Sequence, residues 1–373
     1  MGNKISNTTN RADKLLLKEY IMYLYKKTKF INTVDGHNKY LIKWEKEISN
    51  FLGLKDSLLT NSGTDALQLA LLSLNLKKGD KVIVPAVTYL SVALAVHYAG
   101  VKIVPVDISE ENMLMDLNKL KQLKVSEVKA IIAIHMFGHT CEIDKVMKLA
   151  NQKKIVVIEN ACQALGTSYR GKLVGGFGHL GAMSFRYAKT ISSFSGNGGA
   201  LLFSDKRYDK EKIKRNFMEI FKGQQGLFEL KSKLHPISFF DALTAMVKLK
   251  HFDEIAAKKR ICRQIYTDKL KQLPEVTIFP DGKNSDSIRP FYFILASKRN
   301  SLITYLYKQG IECEAAYPPL TEFNQLGRFN KKLFPVAYKQ WNYGIRLPLF
   351  DYMKSEEVNF VVDKIKEFYL KKR

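Results

Sequence analysis

The strongest constraint on this chain is an alternation that runs from about residue 80 to residue 203. Short apolar-rich runs, Lys81-Val-Ile-Val-Pro85, Val101-Lys-Ile-Val-Pro-Val106, Ala130-Ile-Ile-Ala-Ile134, Ile155-Val-Val-Ile158 and Ala200-Leu-Leu-Phe203, are separated by stretches of helical composition. Strands apolar on both faces belong in a sheet covered by helices on each side, and parallel neighbours need helical crossovers between them. Leu90–Tyr98 and Ile143–Asn151 read as such crossovers, the second with Val146, Leu149 and Ala150 as its apolar positions. The expected fold class is therefore α/β, a wound domain on a mostly parallel sheet. Beyond it, Phe239 to Leu273 is a helical pattern free of Gly and Pro that Pro274 closes. Strand-like Val276–Phe279 and Phe291–Leu295, with helical segments near 300–308 and 355–369, predict a smaller α+β unit. The predicted division is residues 1–250, an N-terminal segment with the large domain, and residues 251–373, the smaller C-terminal domain; a chain of 373 residues has room for both.

The net charge of +24 raises the question of nucleic acid, but the excess is lysine spread along the chain. The densest stretch, Lys206 to Arg215, includes Asp209 and Glu211 and reads as a solvated helix face. No interleaving of aromatic and basic residues typical of nucleic-acid modules is present, so no nucleic-acid partner is expected, and the basic field suits an anionic small substrate. No apolar run reaches the roughly 18 residues of a membrane span, and the N-terminus is polar, so a cytoplasmic protein is expected. Cys141, Cys162, Cys262 and Cys313 lie far apart without a C-x-x-C pair, which predicts reduced thiols and no metal site. Met1-Gly-Asn-Lys-Ile-Ser6 matches the short N-myristoylation pattern at Gly2.

Ligands of open parallel sheets bind beyond the carboxyl ends of the strands, so the residues just after each strand carry the functional reading. Ser62-Gly63-Thr64-Asp65 precedes a helical run, Ala66–Leu74, and would present backbone N–H groups and hydroxyls at a helix N-terminus, an arrangement that suits a phosphate. Glu159-Asn160-Ala161-Cys162-Gln163 follows the strand ending at Ile158 and sets polar groups at the sheet edge. Strand-like Gly181–Phe185 leads to Lys189 and then to Ser192-Ser193-Phe194-Ser195-Gly196-Asn197-Gly198-Gly199, so the lysine stands between a strand and a polar loop, where a Schiff-base amine is needed. Each segment alone reads more readily as an N-cap, a bland loop or a surface lysine.

Their order and spacing resemble the DegT/DnrJ/EryC1/StrS family of nucleotide-sugar aminotransferases that depend on pyridoxal 5'-phosphate (PLP), over roughly residues 36 to 370. The matching segments are Gly36–Glu45 with Phe51-Leu-Gly53, Asn61-Ser-Gly-Thr-Asp-Ala-Leu67, Gly79–Pro85 with Thr88-Tyr89, Ile134-His-Met-Phe-Gly138, Glu159–Ala164, Ser184-Phe185 with Lys189 and Gly198-Gly199, and Leu347-Pro-Leu-Phe350. The resemblance implies the type I aminotransferase fold and a homodimer. It implies that Lys189 carries PLP and shuttles the proton, that Gly63, Thr64 and Ser184 hold the phosphate, that Tyr89 stacks on the pyridine ring, and that Asn160 and Gln163 contact the ring nitrogen and the 3-oxygen. The implied reaction moves an amino group from glutamate to a keto sugar on a nucleoside diphosphate.

The chain departs from the family pattern in three places. Asn160 stands where the family has Asp, the loop after Lys189 is longer with Asn197 where Glu or Asp is common, and the N-x-R segment is absent near Leu234-His235-Pro236. The alternative reading that these departures favour is a PLP-binding member with altered or lost transamination.

Overall fold

The computed structural model describes residues 34–124, 126–222 and 237–370; Gly2 and Leu234–Pro236 lie outside the described residues. The described residues begin with helix α1 (Val34–Leu52) and strand β1 (Asp56–Thr60), followed by α2 (Gly63–Leu72), β2 (Lys81–Pro85), α3 (Leu90–Tyr98), β3 (Lys102–Val106) and α4 (Leu117–Gln122). Next come β4 (Val128–Ile134), α5 (Ile143–Gln152), β5 (Val156–Asn160), the short β6 (Ser168–Tyr169) and β7 (Lys172–Leu173), β8 (Leu180–Ser184) and β9 (Gly199–Phe203). These strands, apart from β6 and β7, form one sheet in the order β1-β9-β8-β5-β4-β2-β3. Pairings among β3, β2, β4, β5 and β8 are parallel, whereas β9 runs against both β8 and β1. The sheet is mostly parallel, as the apolar runs require, and β2 and β3 fall within a residue of their predicted limits.

The reversal at β9 decides where the chemistry sits. The loop from 185 to 198 returns the chain from the end of β8 to an antiparallel neighbour, so it lies over the edge where the parallel strands finish. Trp44 of α1, fully buried, backs the start of this loop with its ring 5.3 Å from that of Phe185. The far side of the loop is fixed by close approach: a Cβ on Gly199 would stand 2.5 Å from the Gly63 nitrogen, so only glycine lets β9 start against the first turn of α2.

After α6 (Lys210–Lys222), helices α7 (Phe239–Lys250) and α8 (Phe252–Leu270) replace the single long helix expected from the sequence. The break is at His251, whose backbone leaves the helical region at φ −96° and ψ 14°. It redirects the chain so that Phe252 reaches the glycine surface of Gly166, where a Cβ would come 2.1 Å from the Phe252 Cζ, and meets Phe51 edge-on at 4.8 Å. No Gly or Pro marks this turn, and tertiary packing produces it.

The rest of the chain comprises β10 (Val276–Ile278), β11 (Ser285–Asp286), β12 (Phe291–Ala296), α9 (Arg299–Lys308), β13 (Glu314–Ala315), α10 (Pro335–Tyr343), β14 (Gly344–Pro348) and α11 (Ser355–Leu370). An antiparallel sheet, β10-β12-β14-β13, packs on α8, α9 and α11 around its own core of Tyr266, Tyr292, Leu306, Ile345, Val361 and Ile365. A small sheet, β11-β6-β7, and the stack of Phe137 on Phe293, with centroids 4.1 Å apart, join this unit to the large sheet. No helix among the described residues is long and apolar enough to cross a membrane.

One buried carboxylate organises the sheet edge. Glu159 of β5 accepts hydrogen bonds from Gly175 N (2.6 Å), Phe177 N (2.6 Å), Gly178 N (2.8 Å) and His135 Nε2 (2.9 Å). His135 Nδ1 accepts from Cys141 N, which puts the imidazole proton on Nε2. Burial alone would push the Glu159 carboxyl up, but these donors hold it below its ordinary value. A carboxyl lowered in the fold stabilises above its unfolded value and loses that contribution as pH falls through the folded one. Replacing Glu159 with Gln leaves buried N–H donors facing an NH2 group, and we expect a loss of about 3–5 kcal/mol in urea unfolding of the apoprotein. A change below about 1 kcal/mol would show that water replaces the carboxylate.

Candidate active site

The candidate residues converge at the carboxyl end of the parallel strands. Gly63 and Thr64 follow β1, Tyr89 follows β2, Asn160 and Gln163 lie at the end of β5, and Ser184 and Lys189 end or follow β8. Proximity is set by packing: a Cβ on Gly63 would meet Cys162 Sγ at 2.6 Å and Ser184 Cβ at 2.9 Å, so the start of α2 sits directly on β8 and the loop after β5. Ser62 caps α2, its hydroxyl accepting from Asp65 N at 3.1 Å and donating to Asp65 Oδ2. The N–H groups of Gly63 and Thr64 find no acceptor among the described residues. With the helix dipole behind them and the hydroxyls of Thr64 and Ser184 beside them, they form an anion-binding end suited to a phosphate.

Lys189 is half-buried and preceded by Ala188 in the left-handed region (φ 60°), a conformation that a non-glycine residue adopts at some cost. Burial depresses the amine to about 8, and the nearby cations Arg186 and Arg346 add to the effect. The Cys162 thiol beside it is pushed up to about 12, mainly by burial, and stays neutral at pH 7. Lys189 is thus a nucleophilic amine available without strong base.

Tyr89 is partly exposed at the head of α3. Its hydroxyl accepts from Arg186 Nη1 at 2.5 Å, and its ring meets Tyr317 edge-on at 5.6 Å. Arg346 of β14 donates to the Tyr317 hydroxyl at 2.8 Å and lies 4.3 Å from that ring. Gln163, buried, accepts from Phe137 N at 2.9 Å and hydrogen-bonds the Tyr317 hydroxyl. Asn160, also buried, accepts from Cys162 N at 3.0 Å through Oδ1. The residues expected to hold the cofactor therefore gather at one end of the sheet, around Cys162, Lys189 and Tyr317. Sequence reasoning missed Arg186, Tyr317 and Arg346; the last two come from the second unit, and of these only Arg346, directly before Leu347-Pro-Leu-Phe350, had a motif beside it to point to it.

The longer loop after Lys189 is well anchored. Asp241, in the first turn of α7, accepts from Ser195 N (2.7 Å) and Ser195 Oγ (2.6 Å), Thr244 Oγ1 accepts from Phe194 N (2.9 Å), and Asn197 Nδ2 donates to Ser195 Oγ. Lys248 reaches Ser192 Oγ at 2.7 Å.

Residues 28–366 match the sequence profile of the DegT/DnrJ/EryC1/StrS aminotransferase family. The chain belongs to this family. Its members are PLP-dependent, and the free helix end, the hydroxyls and the depressed amine fit that cofactor. The chain is 29% identical to GDP-perosamine synthase of Escherichia coli O157:H7 over 90% of its own length and 92% of that protein. It is 28% identical to dTDP-3-amino-3,4,6-trideoxy-alpha-D-glucose transaminase of Streptomyces venezuelae, over 74% and 72% of the two chains. In fold it matches the crystal structure of S. venezuelae DesV in complex with a ketimine intermediate, with a TM-score of 0.86, 24% identity and coverage of 98% and 99%.

The depressed amine makes a direct prediction. Lys189 is lowered from 10.5 to about 8, so the unfolded chain binds the proton across that interval, and the fold gains stability as pH rises through it. In the apoprotein, trinitrobenzenesulfonate labelling of Lys189, followed by peptide mass spectrometry, should rise with a midpoint near 8 while exposed lysines react near 10.4. Arg346→Gln should move the midpoint up, since a repelling cation is removed. A midpoint indistinguishable from that of exposed lysines refutes the assignment.

Proposed function

We infer that the chain transfers the amino group of glutamate to a keto sugar carried on a nucleoside diphosphate, with Lys189 as the residue that carries PLP and moves the proton. The observation that supports this most is the half-buried amine lowered to about 8, set between an unpaired helix N-terminus and the buried amide and carboxamide of Asn160 and Gln163. Bound PLP supplies the electron sink. In this reading the N–H groups of Gly63 and Thr64, with the hydroxyls of Thr64 and Ser184, hold the phosphate. Tyr89 covers the ring, while Gln163 and Asn160 contact the 3-oxygen and the ring nitrogen. Lys189, in its deprotonated form, takes the proton from the donor's carbon and returns it to the acceptor's. The relatives' names support the sugar class, and the net charge of +24 supports an anionic substrate. Altered or lost transamination finds no support in relatives named as a synthase and a transaminase.

The reading includes a homodimer. Ile42, Phe194 and Phe240 are 51%, 61% and 57% exposed, and all three lie on the loop after Lys189 or on the helices α1 and α7. Three exposed apolar side chains on the Lys189 loop and on the helices that brace it suit a covered surface.

Borohydride reduction after loading with PLP should fix the cofactor on Lys189 in peptide mass spectra. Label on another lysine refutes the site. Transfer of 15N from glutamate to a nucleotide-linked keto sugar should be detectable by mass spectrometry, and Lys189→Ala should lower its rate by about 10²–10⁴-fold or more. A Lys189→Ala protein that transfers at the parent rate overturns the role of the amine.

A further inference from the structure

At the end of β5, hydrogen bonding fixes which way Asn160 presents its amide. Oδ1 accepts from the backbone N–H of Cys162 at 3.0 Å. A backbone N–H can only donate, so the reversed amide would set two donors against each other. The Nδ2 group is therefore turned the other way, and it finds no acceptor among the described residues. Asn160 offers the cleft a donor.

The charged groups nearest Lys189 are the cations Arg186 and Arg346, the second paired with Glu314 at 2.7 Å, and the Cys162 thiol is neutral. The adjacent carboxylate, Glu159, is turned to the other face of the strand and is saturated by His135 and three backbone N–H groups. Among the described residues that hydrogen-bond Asn160, Cys162 and His135, both use backbone N–H groups and neither supplies negative charge.

We propose that Asn160 donates to the pyridine nitrogen of bound PLP and keeps that nitrogen unprotonated in the resting holoenzyme, so that the chain depends on the Lys189 amine more than on the ring's electron demand. The proposal rests on the reading above, in which Asn160 contacts the ring nitrogen. A protonated nitrogen would confront the Asn160 NH2 with a second donor and no carboxylate on Asn160 to hold the proton. An unprotonated one accepts from it. The uncharged ring withdraws electrons less strongly from the carbon that loses its proton, so transfer of that proton needs a base held close. The amine of Lys189, which gives up its own proton more readily than an ordinary lysine, suits that need.

The experiment uses the holoenzyme loaded with PLP labelled with 15N in the ring. The ring-nitrogen resonance of the parent protein is expected in the range of unprotonated pyridine near neutral pH. In Asn160→Asp, a carboxylate at the same point can raise the ring pKa by about 1–3, and the resonance should move upfield towards the protonated range. A parent resonance in the protonated range overturns the proposal, as does an Asp variant whose resonance coincides with the parent's. Asn160→Ala gives a second measurement should the buried carboxylate impair loading. It removes the donor without adding charge, so the resonance should stay in the unprotonated range and move towards that of pyridine without a donor; no displacement again overturns the proposal. Failure of the underlying reading is seen separately, because borohydride would then fix the cofactor on a lysine other than Lys189, and the proposal falls with it.

Discussion

The cleft depends on a buried carboxylate that never faces it. Glu159 draws Gly175, Phe177 and Gly178 onto the back of β5, and the loop carrying them lies against β8, where a Cβ on Gly181 would strike the Gly175 carbonyl at 2.3 Å. Strand alternation then sends the next side chain, Asn160, to the opposite side. The same carboxylate orients His135, whose backbone N–H donates to the Asn160 carbonyl. One saturated ion in the interior thus fixes the ends of β4 and β5 and the path into β8. A buried charge is tolerated there because four donors replace the water it lost.

The loop bearing Lys189 is held from three directions. Trp44 supports its start, Asp241 and Thr244 bind its far turn, and Lys248 reaches Ser192 from α7. Lys248 also lies 3.9 Å from Asp351, which is 3.4 Å from the fully buried Lys259. Asp351 follows β14, so this chain of contacts links the loop to the second unit. The extra length after Lys189 is taken up by a turn clipped to a helix N-terminus, which keeps the amine in register with the anion-binding end of α2.

Much of this could be read from residues alone, for identifiable reasons. Strands buried on both faces write themselves as apolar runs, and β2, β4 and β5 appeared within about two residues of their limits. Residues that follow such strands lie at the ligand edge by topology, which is why Gly63, Asn160 and Lys189 could be gathered before any coordinates, while Tyr89 came with the family resemblance. The break at His251 was hidden, because Phe252 and Gly166 impose it across a long separation in sequence. Short β6, β7, β11 and β13 also escaped, each being two residues long and held by its partners. Tyr317 was hidden for the same reason, whereas Arg346 directly precedes the Leu347-Pro-Leu-Phe350 segment and could have been found from it; the folding of β14 against the large unit carries both to Lys189.

That long-range contribution matters for the chemistry. The anion-binding end and the amine belong to the large sheet, whereas Tyr317 and Arg346 belong to the second unit, and Arg346 is one of the cations that depress the Lys189 amine. Coulomb repulsion falls with distance, so the readiness of the amine depends on how closely the second unit is seated. Its seat is defined by Phe137 stacked on Phe293, by Gln163 reaching the Tyr317 hydroxyl, and by Arg289, whose Cα blocks any Cβ on Gly138 at 2.8 Å. These contacts join the residues just after β4 and β5 to β12 and the segment after β13. The reactivity of the lysine is therefore a property of both units, and a large domain folded without its partner would keep the phosphate end while the amine moved back towards that of an ordinary lysine.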